Sequence, residues 1–437
     1  MRAAGASLAA QATVDFDRQA SVALARCQAL ARFTEQPDQI LRTFLSPPME
    51  DCHRLLGRWM EDAGMYVAND RAGNLRGYYP AATESATTPR LILASHLDTV
   101  PNAGRYDGIL GVVLGLSLVE ALCGCRRNFG IEVIGFSDEE GVRYGVPFLG
   151  SRALAGTLGA AQLARKDANG VRMAAALGDY SAAHPGAVEA VLHPRARGYL
   201  EFHIEQGPLL EEENLALGVV ETIAGQSRAT VAFRGRAGHA GTTPMPLRRD
   251  SLAAAAEWLV SVESIALKTP GLVATVGRIL CEPGAANVIP ALTQCSLDVR
   301  HADDAVRRAA LHEILASAQT IAAQRQIAAE PTVEHDHAAV ALDPALIAIV
   351  ESAVRHAGVR STRMVSGAGH DAMILAAHLP AAMIFLRSPG GISHHPDEAV
   401  HAEDVATALR AGLSFLDLFE SHLFSKNRES EPPVCTT

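Results

Sequence analysis

The stretch LILASHLDTVPNAGRYDG, Leu91 to Gly108, decides the fold. An apolar run, Leu91 to Ala94, leads directly into Ser95-His96-Leu97-Asp98, and Asp107-Gly108 follows within one loop length. A short apolar run that ends in polar residues is the pattern of a buried parallel strand. In open α/β sheets ligands bind just beyond the C-terminal ends of such strands. An imidazole and a carboxylate delivered there suit a divalent metal. Read alone, the stretch also fits a histidine closing a strand and an aspartate capping the next helix.

Downstream, the pattern repeats. Phe129 to Phe136 reads as a strand and ends in Ser137-Asp138-Glu139-Glu140-Gly141. Tyr199 to Ile204 alternates, carries His203, and ends in Glu205-Gln206-Gly207-Pro208. Met383 to Leu386 leads into Ser388-Pro-Gly-Gly-Ile-Ser-His394-His395-Pro396. Between the Leu91 run and the Phe129 strand, ILGVVLGLSLVEAL is apolar nearly all round, as a helix buried between layers must be.

The chain has 437 residues. Single cores stop growing at roughly 250–300 residues, so two domains are expected. A net charge of −10 without a basic cluster disfavours nucleic acid as a partner. No apolar run approaches the ~20 residues that cross a bilayer, and the N-terminus has no convincing apolar signal region, so a cytoplasmic protein without a membrane partner is expected. Seven scattered cysteines fit a reducing compartment rather than a disulfide framework. The one close pair, Cys123-Gly-Cys125, ends an apolar helix and reads as structural.

Taken in order, residues 1 to about 20 show no firm pattern. Helices are expected over Asp17–Leu30 and Met49–Asp62, and a strand pair over Met65–Leu75 with turns at Asn69-Asp70 and Gly73-Asn74. From about Thr222 the pattern changes. A strand (Arg228–Phe233), a Gly/Pro loop holding His239, an Ala-rich helix (Arg249–Leu267), strands (Leu272–Leu280, Leu292–Arg300), a helix capped by Asp303, and a short last strand (Thr332–Glu334) give the order β-α-β-β-α-β. That is a ferredoxin-like α+β sandwich, here an insert over residues 222–335 that divides the first domain into 1–221 and 336–437. The first domain resumes with the helix Pro344–His356, a Gly-rich loop at Ser366–Asp371 and a closing helix from Asp404; the tail after Ser425 is polar. The fold class is α/β, a mostly parallel sheet flanked by helices, with an α+β insert.

Five candidate ligands therefore stand at strand ends or adjoining loops: His96, Asp107, Glu140, His203 and His394. Two divalent ions ~3.5–4 Å apart need a bridging carboxylate and further ligands on each side, which this set can supply. Glu139 lies beside Glu140. Two adjacent carboxylates repel, and a cation on one leaves the other as general base for a water. The donor set suits Zn, or Mn, Co or Ni.

The segments SHLDTV, GRYDGILGV, SDEEGVRYG, GSRALAG, HIEQGPLLE, AGQSR, GHAGTTPM, RRD, NVIP, DVRH, SGAGHDA and GISHHP resemble, in content and order, the M20-type binuclear metallohydrolases. Within them they resemble the branch of allantoate amidohydrolases, N-carbamoyl-L-amino-acid hydrolases and β-ureidopropionases (the hydantoinase/carbamoylase branch). The resemblance implies a metallo-exopeptidase-like catalytic domain and makes the insert a dimerisation or lid domain. It implies two divalent ions per subunit, with Asp107 bridging, His96 and His203 on one ion, and Glu140 and His394 on the other. It makes Glu139 the general base. His203 stands where the peptidases of the wider family tend to carry an acidic residue. The branch usually has His-Asn-Pro where this chain has His394-His395-Pro396, so His395 either competes as a ligand or replaces a hydrogen bonder behind it, and His394 is the expected ligand.

The resemblance further implies that His239, Asn287 and Arg300 reach the substrate, some of them across a homodimer from the neighbouring subunit. Arg300 suits a carboxylate, Asn287 a carbonyl and an N–H, and His239 an oxyanion. Gln206 suits a ureido nitrogen, and the backbone amides of Gly367, Ala368 and Gly369 suit the carboxylate. The expected reaction is hydrolysis of the ureido C–N bond of a small carboxylate, allantoate before N-carbamoyl-L-amino acids or β-ureido acids. The alternatives are an M20-type dipeptidase or aminoacylase, and a metal-binding dimer without catalysis.

Overall fold

The computed structural model describes residues 14–425. The first helix starts at Phe16, one residue before the expected Asp17. Asp15 is the reason: its carboxylate accepts the Arg18 N–H at 2.9 Å and caps the helix Phe16–Leu30. The expectations for the residues before 14 and for the tail after Ser425 lie outside the described residues. The helix Pro47–Asp62 buries Met49, Cys52, Leu56 and Met60, a stripe at i+3 and i+4 spacing.

Strands β1 (Tyr66–Asn69) and β2 (Leu75–Tyr79) pair antiparallel, and the second begins at Leu75, where the expected strand pair ends. β3 (Arg90–His96) and β4 (Gly130–Phe136) run parallel, with His96 opposite Phe136. The helix Ile109–Ala121 connects them, and only Glu120 of its thirteen residues escapes burial. Glu120 takes both ends of the Arg26 guanidinium at 2.7 Å, which ties this helix to the first one. β5 (Ala196–Ile204) and β6 (Leu217–Ile223) follow. β5 is buried on both faces, so the alternation in its sequence does not mark a half-exposed strand.

Thr222–Ala341 together with Val365–Gly369 forms one compact unit, and the remainder of the chain forms another. The smaller unit contains β7 (Gly225–Arg234), β8 (Gly238–His239), β9 (Val273–Thr275), β10 (Ile279–Glu282), β11 (Val288–Ile289), β12 (Leu292–His301), β13 (Ala328–His337) and β14 (Val340–Ala341). Its main sheet has the order β10-β12-β7-β13, with β9 also on β12, and its pairings are antiparallel. The single strand expected over Leu272–Leu280 is thus two short ones, and the last strand is ten residues long rather than three. The helices Ser251–Lys268 and Asp304–Gln324 pack Trp258, Val262, Ile314 and Ala318 against Phe233 and Val299. Asp303 caps the second of them, its carboxylate accepting the Ala305 N–H at 2.7 Å. Trp258 satisfies its buried indole N–H on the Ile314 carbonyl at 3.0 Å.

The larger unit is completed by the helices Pro344–His356 and Ala402–Ser425 and by β16 (Ala381–Leu386); β15 (Arg363–Ser366) pairs with β6. Its sheet runs β1-β2-β4-β3-β5-β16-β6. The four central strands, β4, β3, β5 and β16, are mutually parallel. They all end on one sheet edge, and there the candidate ligands gather. Among the described residues no helix is long and apolar enough to cross a membrane. The six described cysteines are unpaired, and Cys123 and Cys125 are exposed on the turn after the buried helix.

Candidate metal centre

The edge of the parallel sheet is built by the chain ends of three strands. Arg42, fully buried, donates from Nε to the Leu97 carbonyl at 2.7 Å and fixes the exit of β3. Asp98 then catches the loop after β4, accepting the backbone N–H of Glu139 at 2.9 Å and of Glu140 at 3.0 Å. This role of Asp98 is not evident from spacing alone, although His-x-Asp directly after a buried strand is the signal that marks it. Asp107 is presented between two glycines. A Cβ at Gly108 would sit 2.4 Å from the His96 ring, and Gly108 has φ +70°, a conformation that side chains rarely adopt.

His96, Asp107 and His203 converge. The His96 Nδ1 stands 3.0 Å from the Asp98 carbonyl and the His203 Nδ1 2.9 Å from the Ile204 carbonyl. Those bonds place a proton on each Nδ1 and leave each Nε2 as a lone pair. The two Nε2 atoms are 3.4 Å apart and stand 3.5 and 3.1 Å from the Asp107 Oδ1. That oxygen is buried and has no hydrogen-bond partner. Three lone pairs facing one point need a cation, or else protonated rings. Asp107 pushes toward protonation: burial would lower both imidazoles, but the carboxylate holds His96 well above its usual value and raises His203.

The other Asp107 oxygen faces a second group. The His394 Nε2 is 3.2 Å from the Asp107 Oδ2 and 3.3 Å from the Glu140 Oε1. These two carboxylates lift His394 to about 10. Ser393 Oγ at 3.1 Å and Gln206 Nε2 at 3.0 Å also donate to this oxygen. His395 turns away: its Nδ1 accepts the Asp397 N–H at 3.2 Å and faces the Asp397 carboxylate. Gln206 and His394 both have positive φ, 59° and 56°, although neither is glycine. Such backbone costs ~1–3 kcal/mol and clusters where function demands a fixed side-chain direction.

The ligating atoms of His96-Asp107-His203, of Asp107-Glu140-His394 and of His96-Glu139-Glu140 each lie within 4.8 Å of one another. Glu139 is 7% exposed; burial first, then the neighbouring Glu140, holds its carboxyl well above the usual range. The surplus of buried carboxylates continues behind it in Asp138 and Asp371, which burial first, and then Asp98 for Asp138 and Glu201 for Asp371, hold well above the usual range. Imidazole lone pairs and an orphaned carboxylate oxygen among crowded acids form a donor set that fits divalent cations.

The other candidates lie in or beside the smaller unit. His239 on β8 accepts the Gly241 N–H on Nδ1 at 3.1 Å, so its ring proton sits on Nε2. Asn287 lies beside it, its backbone carbonyl accepting the Ala240 N–H at 2.9 Å. Arg300 is held in place by Asp298, Nε to Oδ1 at 2.8 Å, and its Nη1 donates to the Gly367 carbonyl at 2.6 Å. Arg300 and the Gly367–Gly369 loop therefore meet within one unit. Ala368 offers its carbonyl to the Ser366 hydroxyl at 2.8 Å.

A parallel sheet that delivers histidines and acids to one edge, around a carboxylate that faces two groups of ligands, defines a metal-dependent hydrolase. The chain belongs to Peptidase family M20/M25/M40, which it matches over residues 92–417. It is 37% identical over 436 residues to allantoate deiminase of Arabidopsis thaliana, covering 92% of this chain and 82% of that protein. It is 38% identical over 355 residues to an N-carbamoyl-L-amino acid amidohydrolase of Geobacillus stearothermophilus, covering 80% of this chain and 86% of that protein. Among solved structures it resembles a hydantoinase/carbamoylase family amidase from Burkholderia multivorans, with a TM-score of 0.85, 32% identity, and coverage of 91% and 97% of the two chains. The mostly parallel α/β catalytic fold is that of these amidases.

Proposed function

We propose that this amidohydrolase hydrolyses the ureido C–N bond of allantoate: water splits it into an amine, which keeps the substrate carboxylate, and carbamate, which falls apart into ammonia and carbon dioxide. The observation that carries the reading is the pair of imidazoles, His96 and His203, on one oxygen of Asp107. By the resemblance drawn above, a histidine at position 203 is a mark of the ureido-hydrolysing branch, where the peptidases tend to carry an acidic residue. His96, His203 and Asp107 would hold one ion, and Asp107, Glu140 and His394 the other. When bound, two divalent cations, zinc or else manganese, cobalt or nickel, acidify water and polarise the ureido carbonyl.

The residues of the chain do the rest. Glu139 takes a proton from the attacking water and returns it to the leaving nitrogen; a buried carboxyl with raised proton affinity suits both halves of that task. Gln206 spends its Nε2 on Asp107 and Ser393, while its buried Oε1 has no partner and suits a ureido N–H. His239, with its proton on Nε2, donates to the oxyanion. Arg300, set in plane by Asp298, binds the substrate carboxylate together with the Gly367–Gly369 amides, and Asn287 bonds a carbonyl and an N–H of the substrate.

The likeness to a carbamoylase at 38% identity favours N-carbamoyl-L-amino acids as the second reading. Ammonia release from allantoate, N-carbamoyl-L-amino acids, β-ureidopropionate and a dipeptide decides between them. Turnover of allantoate well above the others is the expected result; turnover of the dipeptide alone would make the protein a peptidase. Silence on the whole panel with metal loaded would leave a metal-binding protein without catalysis.

The smaller unit is proposed to dimerise. Val260, Leu267, Val273 and Leu280 of this unit are exposed at 67%, 82%, 58% and 49% and are the candidate apolar contacts of such an interface. Sedimentation equilibrium should return twice the chain mass of 46.1 kDa, and a monomer at micromolar concentration would overturn this. Six unpaired described thiols suit a cytoplasmic setting, which fractionation of the producing cells would test.

A further inference from the structure

We infer that Glu398 is a positioning residue for the metal centre, a latch that sets where Asp107 stands relative to His394. The inference rests on the metal reading above. The Glu398 Oε1 accepts the backbone N–H of Tyr106 at 2.8 Å and of Asp107 at 3.1 Å, although these residues are about 290 positions away in the chain. Glu398 is 3% exposed, and its own N–H is held by the His395 carbonyl at 3.0 Å. It therefore belongs to the same turn as His394. One carboxylate thus joins the backbone that carries the shared Asp107 to the backbone that carries a ligand of the second group.

The opposite wall is shaped for it. A Cβ at Gly104 would sit 2.3 Å from both Cδ and Oε1 of Glu398, so only glycine leaves the carboxylate its place. The Glu398 Oε2 is buried without a partner. A side chain chosen for core stability alone would not leave a carboxylate oxygen orphaned, since a buried unpaired acceptor is costly. What the carboxylate does accomplish is to fix two backbone amides next to the ligand. Asp107 sends one oxygen to each ligand group, so a shift of its backbone misplaces both.

The test is a cobalt(II) titration of protein stripped with a chelator, followed by absorbance, alongside melting of the metal-free forms. Glu398→Ala should weaken cobalt binding about 10–100-fold, as loss of a residue that orients a metal ligand typically does. Glu398→Gln keeps an oxygen acceptor of the same reach and should bind cobalt like the parent. Gly104→Ala pushes on the latch from the other side and should reproduce the Ala phenotype, and the double variant should be no worse than either single, because both break one contact. If Glu398→Ala fails to fold, Gly104→Ala and Glu398→Gln carry the test. Parent-like cobalt binding in folded Glu398→Ala or in Gly104→Ala overturns the inference, as does a Gln variant as weak as Ala. A parent that binds cobalt but hydrolyses nothing in the substrate panel removes the substrate reading and leaves this one standing. A parent that takes up no cobalt overturns both.

Discussion

Glu139→Gln is expected to retain the metal content of the parent and to lose turnover by a factor of ~10²–10⁴, the usual contribution of a general acid–base. The substitution keeps size and shape and removes only the ability to carry a proton. Glu139 lies with His96 and Glu140 in one cluster of potential ligand atoms, so two roles compete for it. If it is a ligand, the Gln form loses metal. If it is the base, the Gln form keeps metal and loses kcat. The environment favours the base: Glu139 is buried beside Glu140, and both burial and that neighbour raise its affinity for a proton. Removing one charge from that pair should also leave the metal-free protein no less stable, which a melting curve checks. Metal analysis and steady-state kinetics on one preparation suffice. Near-parent kcat would remove Glu139 from the chemistry, and loss of metal would move it into the ligand set.

The parts of this site that were legible in the sequence are those for which local pattern and chemistry coincide. β3 is an apolar run that ends on His96, and β4 is one that ends on an acidic triplet; being parallel and buried, both deliver those residues to the same edge. The elements after Thr222 were legible because amphipathic helices and alternating strands follow in a recognisable order, and because Asp303 is a strong cap. Other features left no local mark. β6 carries Gly218 and Glu221 within an apolar run, and β15 is four residues long with Arg363 and Ser366 at its ends, so neither stands out from a loop. The split of Leu272–Leu280 into β9 and β10 reflects pairing with different parts of β12, a tertiary choice. The choice between His394 and His395 likewise needed geometry: both are exposed, and only the direction of the backbone at His394 aims its ring at Asp107. The Glu398 contact joins segments from opposite ends of the chain and has no sequence signature.

Asp107→Ala is expected to empty the centre rather than weaken it. Asp107 divides its oxygens between two groups: His203 faces only Oδ1, and His394 only Oδ2. Loss of His394 should therefore cost one metal equivalent, whereas loss of Asp107 removes a ligand from both ions at once. It also removes the charge that raises His96 and His203, which leaves two neutral rings with their Nε2 atoms 3.4 Å apart and no shared partner. Gln206 and Ser393 lose their acceptor as well, so the turn that carries His394 is no longer tied to β5 through this carboxylate. Metal analysis after gel filtration should find less than one equivalent in Asp107→Ala, and activity should fall to background. Asp107→Asn separates charge from shape: it keeps one oxygen and the side-chain volume, and it should bind metal more weakly than the parent but more strongly than Ala. His394→Ala in the same series supplies the one-equivalent reference. Two equivalents in folded Asp107→Ala would show that the ions do not share this carboxylate, and the centre would have to be rebuilt around the third cluster, His96 with Glu139 and Glu140.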